Sequence, residues 1–311
     1  MGKLAFIFSG QGAQYVGMGK QIAAVYKSAD AIFNEATEAL GFDVKKMVFE
    51  SDDETLKITE NTQPTILTTS IACLQPLLEK GIKPDVVAGL SLGEYSAHVA
   101  AGTITFKDAV MLVKKRGKFM QEAVPVGVGT MAAVLGLENS EVIECCKAAS
   151  SEGVVEPSNF NCPGQVVVAG AVKAVEKVVE LSKEKGAKRS MILPVSAPFH
   201  CSMLKPAGEK LAIELEKITL NDLKLPVVTN VTAEYITDKS KVKDLLIRQV
   251  SNSVLWEECV KAMIADGVDT FVEIGPGKTL IGFIKKLNKD VKTLNVDDLD
   301  SLNKTFAELG V

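Results

Sequence analysis

The sequence predicts an α/β protein with a mostly parallel sheet and a smaller β-α-β-β-α-β unit inserted near its middle. Three observations carry this prediction. Short apolar runs at Leu4–Phe8, Asp85–Ala88 and Thr270–Ile274 alternate with longer helical patterns, as parallel strands joined by helical crossovers do. Between Thr130 and Leu193 the order changes to strand, helix, two strands around a turn, helix, strand. The chain has 311 residues, 47% of them hydrophobic, which is enough for two units or for one large unit with an insertion.

Leu4–Phe8 reads as a buried first strand, followed by a helical pattern to about Leu40. Pro64–Leu78 reads as a helix with Pro in its first turn. After the strand Asp85–Ala88 come helices at Ser91–Ala100 and Phe106–Val124, with Thr105 and Asp108 spaced as a capping box for the second. In the inserted unit, Thr130–Leu135 is a strand and Ser140–Ala149 a helix. Val154–Phe160 and Gln165–Ala169 are strands around the turn Asn161-Cys162-Pro163-Gly164. Val172–Lys185 is a helix and Lys188–Leu193 a strand. This is the order of a ferredoxin-like small domain, expected to span 128–194 with Gly127-Val128-Gly129 and Pro194 as hinges. The large domain is expected to be discontinuous, 1–127 and 195–311. It resumes with a helix from Met203 to Glu216 capped by Ser202 and a strand at Pro226–Thr229. Helices near 241–250 and 254–265 follow, then Thr270–Ile274, a helix to Leu287 and a last strand near 292–296.

Composition excludes several classes. A formal charge of −4 argues against general nucleic-acid binding. No run of about 18 apolar residues marks a membrane span. The apolar start is too short for a signal peptide, and Phe6 stands where a myristoylation signal needs Ser or Thr. The 6 cysteines contain no C-x-x-C pair and there are 2 histidines, so no tetrahedral metal cluster is legible and reduced thiols in a cytoplasm are expected. Of 35 basic residues only Arg116, Arg189 and Arg248 are Arg, so an Arg at a given spot reads less readily as mere surface charge, its planar fork being the usual reason to prefer it.

Gly89-Leu90-Ser91-Leu92-Gly93 is a G-x-S-x-G motif between a strand and a helix, the context of a nucleophile elbow in an α/β-hydrolase-like domain. Its plainer alternative is Ser91 as a simple N-cap. A serine nucleophile needs a base. His98 follows on the same helix, roughly 10 Å away at 1.5 Å rise per residue, too far for a hydrogen bond; it reads as a helix-surface or packing residue. His200 remains as the base, and no Asp stands out as a third member. Gly10-Gln11-Gly12-Ala13-Gln14 follows the first strand. Tyr15 stands where a dinucleotide fingerprint needs Gly, so the loop reads as a backbone oxyanion donor or a plain tight turn. Arg116 is either part of a basic helix face with Lys114 and Lys115 or a buried recognition residue. Cys201, adjacent to His200, points away from it in extended backbone.

These residues carry a resemblance. Phe8-Ser9-Gly10-Gln11-Gly12-Ala13-Gln14, Gly89-Leu90-Ser91-Leu92-Gly93-Glu94-Tyr95-Ser96-Ala97, Asn159-Phe160-Asn161-Cys162-Pro163-Gly164-Gln165, Pro198-Phe199-His200 and Glu273-Ile274-Gly275-Pro276-Gly277 together resemble the malonyl-CoA:acyl carrier protein transacylases of bacterial type II fatty-acid synthesis. The likeness runs through nearly the whole chain in order. One departure is Leu90, where many members carry His; that His is not the family's base, so only pocket shape is affected. The resemblance implies Ser91 as acyl-accepting nucleophile and His200 as its base. It implies the backbone carbonyl of Gln249 as the group that orients His200, and the amides of Gln11 and Leu92 as the oxyanion hole. Arg116 is implied as partner of the free malonyl carboxylate. It implies malonyl-CoA and acyl carrier protein as partners, no metal or other cofactor, no nucleic acid and no membrane. Phe199 is implied to favour malonyl over methylmalonyl. The alternatives are a stand-alone acyltransferase of a polyketide synthase, a serine esterase, or a scaffold with a degenerate elbow. Lys183, Lys185, Lys188 and Arg189 form the candidate basic patch for an acidic carrier protein.

Overall fold

In the computed structural model, which describes residues 2–195 and 197–311, ten strands form two sheets. In chain order they are β1 Lys3–Phe8, β2 Val86–Gly89, β3 Gly129–Leu135, β4 Val155–Cys162, β5 Gln165–Ala171, β6 Arg189–Ile192, β7 Val227–Val228, β8 Tyr235–Ile236, β9 Val268–Ile274 and β10 Lys292–Val296.

The larger sheet has the order β10-β9-β1-β2-β7-β8, and every pairing but the last is parallel. Strand β1 alternates strictly, because successive side chains of a strand point to opposite faces. Phe6 and Phe8 enter one buried cluster while Ala5 and Ile7 enter another across the sheet. Both faces are therefore covered, as a parallel sheet requires. In register, Phe8 lies beside both Gly89 and Ile274. The chain thus leaves β1, β2 and β9 at one edge, the carboxyl edge, where open α/β sheets place their sites.

The smaller sheet has the order β4-β5-β3-β6 and is antiparallel throughout. Its two faces do different things. Ala132, Val134, Val166 and Val168 pack with Val142, Cys145, Ala174 and Val178 of the helices Asn139–Ala149 and Val172–Glu184. Met131, Ala133, Val167 and Ala169 face the other way and join the main core. The two sheets thus share apolar packing. Segment 253–254 also bonds to β4, with Phe160 N donating to the Val254 carbonyl at 2.9 Å and Val254 N to the Ser158 carbonyl at 2.8 Å.

Several elements differ from the sequence reading. The helix expected from Pro64 begins at Thr59 and runs to Glu79, so Pro64 is interior. Two threonines along it back-bond to the preceding turn: Thr65 Oγ1 donates to the Asn61 carbonyl at 2.8 Å and Thr68 Oγ1 to the Pro64 carbonyl at 2.7 Å. The early helical pattern breaks at Tyr26 into Lys20–Val25 and Lys27–Leu40. Two short helices, Val44–Glu50 and Asp53–Lys57, were not anticipated; Asp43 and Asp52 cap them through Lys46 N and Thr55 N. Ser202 opens a single 3-10 turn rather than capping a long helix, because its hydroxyl donates to Glu156 at 2.7 Å; the helix proper is Lys205–Glu216. The short strand β8 and the helix Leu299–Leu309 complete the chain. Asp298 and Ser301 form a capping box for that helix, and Leu302 and Phe306 bury one stripe of it.

Candidate active site

The elbow follows from crowding. Ser91 is in left-handed backbone, φ 54°, a conformation rare for a residue with a side chain. A Cβ on Gly93 would lie 2.1 Å from the Phe8 carbonyl oxygen, and one on Gly89 would lie 2.0 Å from the Gly93 carbonyl carbon. Both flanking positions therefore admit only glycine. Leu90 N donates to the Phe8 carbonyl at 3.1 Å, which ties the turn to the end of β1. The helix opens at Gly93 rather than at Ser91.

Ser91 is 8% exposed and His200 3%. The hydroxyl of Ser91 lies 2.6 Å from His200 Nε2, and His200 Nδ1 lies 2.8 Å from the Gln249 carbonyl oxygen. A carbonyl only accepts, so Nδ1 carries the proton and Nε2 is free to take one from Ser91. His200 also has positive φ, 60°. Burial, reinforced by the nearby Arg116 charge, holds its imidazole down at about 3. At neutral pH it is therefore an uncharged acceptor.

Arg116 projects from the helix Phe106–Glu122 and is 1% exposed. Nη1 donates to Gln63 Oε1 at 2.8 Å, and Nη2 donates to Gln249 Oε1 at 3.0 Å and to Ser91 Oγ at 3.2 Å. Its guanidinium stacks over the Tyr95 ring, 5.2 Å from the centroid. Among the described residues Nε has no hydrogen-bond acceptor. No carboxylate of the described residues lies within ion-pair distance of Arg116. A buried guanidinium without a counter-charge is costly unless a ligand supplies one.

A polar net binds these parts from below. Ser91 N donates to Asn230 Oδ1 at 2.6 Å, and Asn230 Nδ2 donates to the Gly89 carbonyl at 2.8 Å. Gln249 Nε2 donates to the Ser91 carbonyl at 3.0 Å and to Glu94 Oε2 at 2.7 Å. Gln11 stands in the loop after β1, with Nε2 donating to Thr59 Oγ1 at 3.3 Å. Next to it, Gly10 lies directly against the Leu90 carbonyl, so the loop abuts the elbow. The structure thus brings together Ser91, Leu92, Arg116, His200 and Gln249, with the Gln11 loop alongside.

His98 is fully buried, and burial holds it down at about 3, uncharged. It belongs to the packing beneath the elbow. Cys201 donates to the Pro198 carbonyl at 3.1 Å, and burial pushes its thiol up to about 12, so it is no nucleophile at neutral pH. Gln63, Glu94 and Asn230 were missed. Asn230 follows a strand at the carboxyl edge, which is a usable signal; Gln63, inside a buried helix, had none. Among the described residues no group of three His, Cys, Asp or Glu could hold a metal ion, and no helix is long and apolar enough to cross a membrane.

A buried Ser–His pair on a glycine-flanked elbow, beside a buried arginine, can be set against known proteins. The acyl transferase domain family matches residues 5–301. The chain belongs to that family. It is 48% identical to the malonyl CoA-acyl carrier protein transacylase of Bacillus subtilis (strain 168), over 99% of this chain and 98% of the relative. The crystal structure of malonyl CoA-acyl carrier protein transacylase from Clostridium perfringens superposes with a TM-score of 0.97 at 50% identity, covering 99% of this chain and 97% of that one. A solved complex of a type II PKS acyl-carrier protein with its malonyl-transacylase matches with a TM-score of 0.96 at 41% identity, covering 98% of this chain and 99% of that one.

Proposed function

We propose that this chain transfers the malonyl group of malonyl-CoA to the phosphopantetheine thiol of acyl carrier protein through a malonyl-serine intermediate, supplying fatty-acid elongation. The observation that carries the reading is Arg116. It is a buried guanidinium 3.2 Å from the Ser91 hydroxyl with no ion-paired carboxylate among the described residues, and it fits the free carboxylate of a malonyl group seated on Ser91. Gln63 and Gln249 occupy part of the fork and aim it.

The chemistry follows from the same atoms. Ser91 Oγ attacks the thioester carbonyl as its proton passes to His200 Nε2. The imidazolium that forms donates through Nδ1 to the Gln249 carbonyl. The amides of Gln11 and Leu92 receive the oxyanion. Collapse breaks the C–S bond, and His200 returns the proton to the departing coenzyme A thiol. The carrier thiol then repeats the steps in reverse on the acyl-serine. Thioester and serine ester lie close in energy, so no further cofactor is needed.

We read the large sheet and its helices as an α/β-hydrolase-like domain, 1–127 and 195–311, with a ferredoxin-like domain, 128–194, inserted. The order β4-β5-β3-β6 with two helices on one face supports the second half of that reading. The setting we read is the cytoplasm, which 6 free, buried cysteines support. A polyketide carrier protein as acceptor is favoured by one observation, the matching complex with a type II PKS carrier. Incubation with radiolabelled malonyl-CoA tests the reading. Label accumulates on the enzyme and moves to carrier protein when it is added. Label released as free malonate irrespective of carrier indicates an esterase, and no labelling at all indicates an inert scaffold.

A further inference from the structure

The carboxyl group of Glu94 lies beneath the elbow and takes part in none of the steps above. Its residue is fully buried. Oε2 accepts from Asn230 N at 2.9 Å and from Gln249 Nε2 at 2.7 Å. Among the described residues Oε1 has no hydrogen-bond partner, and neither has His98 Nε2, which lies 4.0 Å from it.

The consequence falls on Gln249, whose amide is clamped at both ends. Its Nε2 faces the Glu94 oxygen and the Ser91 carbonyl, and its Oε1 faces Arg116 Nη2. Turned over, the amide would set oxygen against oxygen at Glu94 and N–H against N–H at Arg116. The carboxyl group, the shortest of these contacts at 2.7 Å, therefore shares with Arg116, the Ser91 carbonyl and Asn230 Oδ1 in fixing which way the amide points. The backbone carbonyl of the same residue receives His200 Nδ1. Asn230, held through its own N–H by Glu94, receives the Ser91 amide. One buried carboxyl group thus reaches the nucleophile, the base and the recognition arginine through two intermediaries.

We propose that Glu94 is a positioning residue for acyl transfer, fixing Gln249 and Asn230 so that His200 and Arg116 converge on Ser91. The proposal rests on the acyl-transfer reading above. Burial lifts the Glu94 acid to about 7, so both its forms are accessible near neutrality. The geometry serves both. A proton on Oε1 faces the uncharged His98 ring and leaves Oε2 as acceptor for Gln249 and Asn230. Glutamine at this position reproduces the neutral acid, its oxygen in the place of Oε2 and its NH2 toward His98. Methionine has similar volume and no oxygen, so it leaves the buried Asn230 N–H unpaired and takes from the Gln249 amide its shortest hydrogen bond, leaving it the Ser91 carbonyl and the longer 3.3 Å contact to Asn230 Oδ1.

The test compares E94Q, E94M, Q249A and the double variant E94M/Q249A in malonyl transfer to carrier protein, with wild type alongside. Q249A removes the clamped amide but keeps the backbone carbonyl. Wild type that transfers no malonyl would overturn the acyl-transfer reading, not this proposal. Expected are a fall of at least about thirtyfold in kcat/KM for E94M and less than about fivefold for E94Q, with the double variant within about threefold of the weaker single, because both changes break one linkage. Losses that multiply in the double variant, or an E94M as active as wild type, overturn the proposal. Should E94M not fold, E94Q and Q249A decide. E94Q within about fivefold of wild type, with Q249A at least about thirtyfold down in kcat/KM, supports the proposal. E94Q that falls as far as Q249A, or a Q249A as active as wild type, overturns it.

Discussion

Replacing Arg116 with Ala should separate recognition of malonyl from acyl transfer in general. The guanidinium is 1% exposed and sits on two glutamine oxygens, 2.8 and 3.0 Å away, which leaves donors to spare for a carboxylate. Removing one partner of a buried charge pair costs about 2–5 kcal/mol, which is roughly thirtyfold to several-thousandfold in kcat/KM. Much of that loss is the penalty of leaving the malonyl carboxylate buried and unpaired. Acetyl-CoA differs by lacking that carboxylate, so its transfer should hold or rise. Arg116→Lys should fall between, because an ammonium keeps the charge but cannot present two parallel donors. The assay measures transfer to carrier protein from both thioesters on one preparation of each variant, so misfolding lowers both alike. Equal losses for malonyl and acetyl would refute the reasoning and make Arg116 a structural residue.

Three further outcomes are expected. The base must be uncharged to act, and burial keeps the His200 imidazole neutral as pH falls through its ordinary value; kcat/KM for enzyme acylation at pH 5.5 should therefore stay within about twofold of that at pH 7.5, whereas an unperturbed imidazole would lose about tenfold. Phe199 is buried beside His200, and Phe199→Ser should widen the space there so that methylmalonyl-CoA gains on malonyl-CoA, with roughly ten- to two-hundredfold as the ceiling, read as a ratio of kcat/KM values; an unchanged ratio places the ring away from the acyl group. Lys188 and Arg189 are exposed at the start of β6, and charge reversal there should raise KM for carrier protein while leaving KM for malonyl-CoA alone; equal effects on both substrates would move the docking face elsewhere.

The parts legible in the sequence were those with a local cause. Apolar runs bounded by glycine mark β1, β2 and β9, and the strand–elbow–helix context singles out Ser91 without the family likeness. Distance along a helix removed His98, leaving His200. Other parts had no local cause to read. The carbonyl of Gln249 is backbone, so no side-chain pattern announces it; only the family likeness pointed there. Gln63 and Glu94 acquire meaning through partners 53 and 155 residues away in the chain. The helix Leu299–Leu309 was a different matter, since its Asp298–Ser301 capping box and the Leu302–Phe306 spacing were present to be read. The start of the helix at Thr59 escaped because Pro64 looked like an opening residue, whereas the buried packing of the helix tolerates it inside.

The most direct measurement of the central claim is intact-mass spectrometry of wild type and Ser91→Ala after mixing with malonyl-CoA. Wild type should gain one malonyl group, localised to Ser91 by peptide mapping, and lose it when carrier protein bearing phosphopantetheine is added. Ser91→Ala should gain none, and His200→Ala should acquire it orders of magnitude more slowly, because a serine without its base is a weak nucleophile. A malonyl adduct that persists on Ser91→Ala, or one on wild type that carrier protein does not remove, would contradict the account.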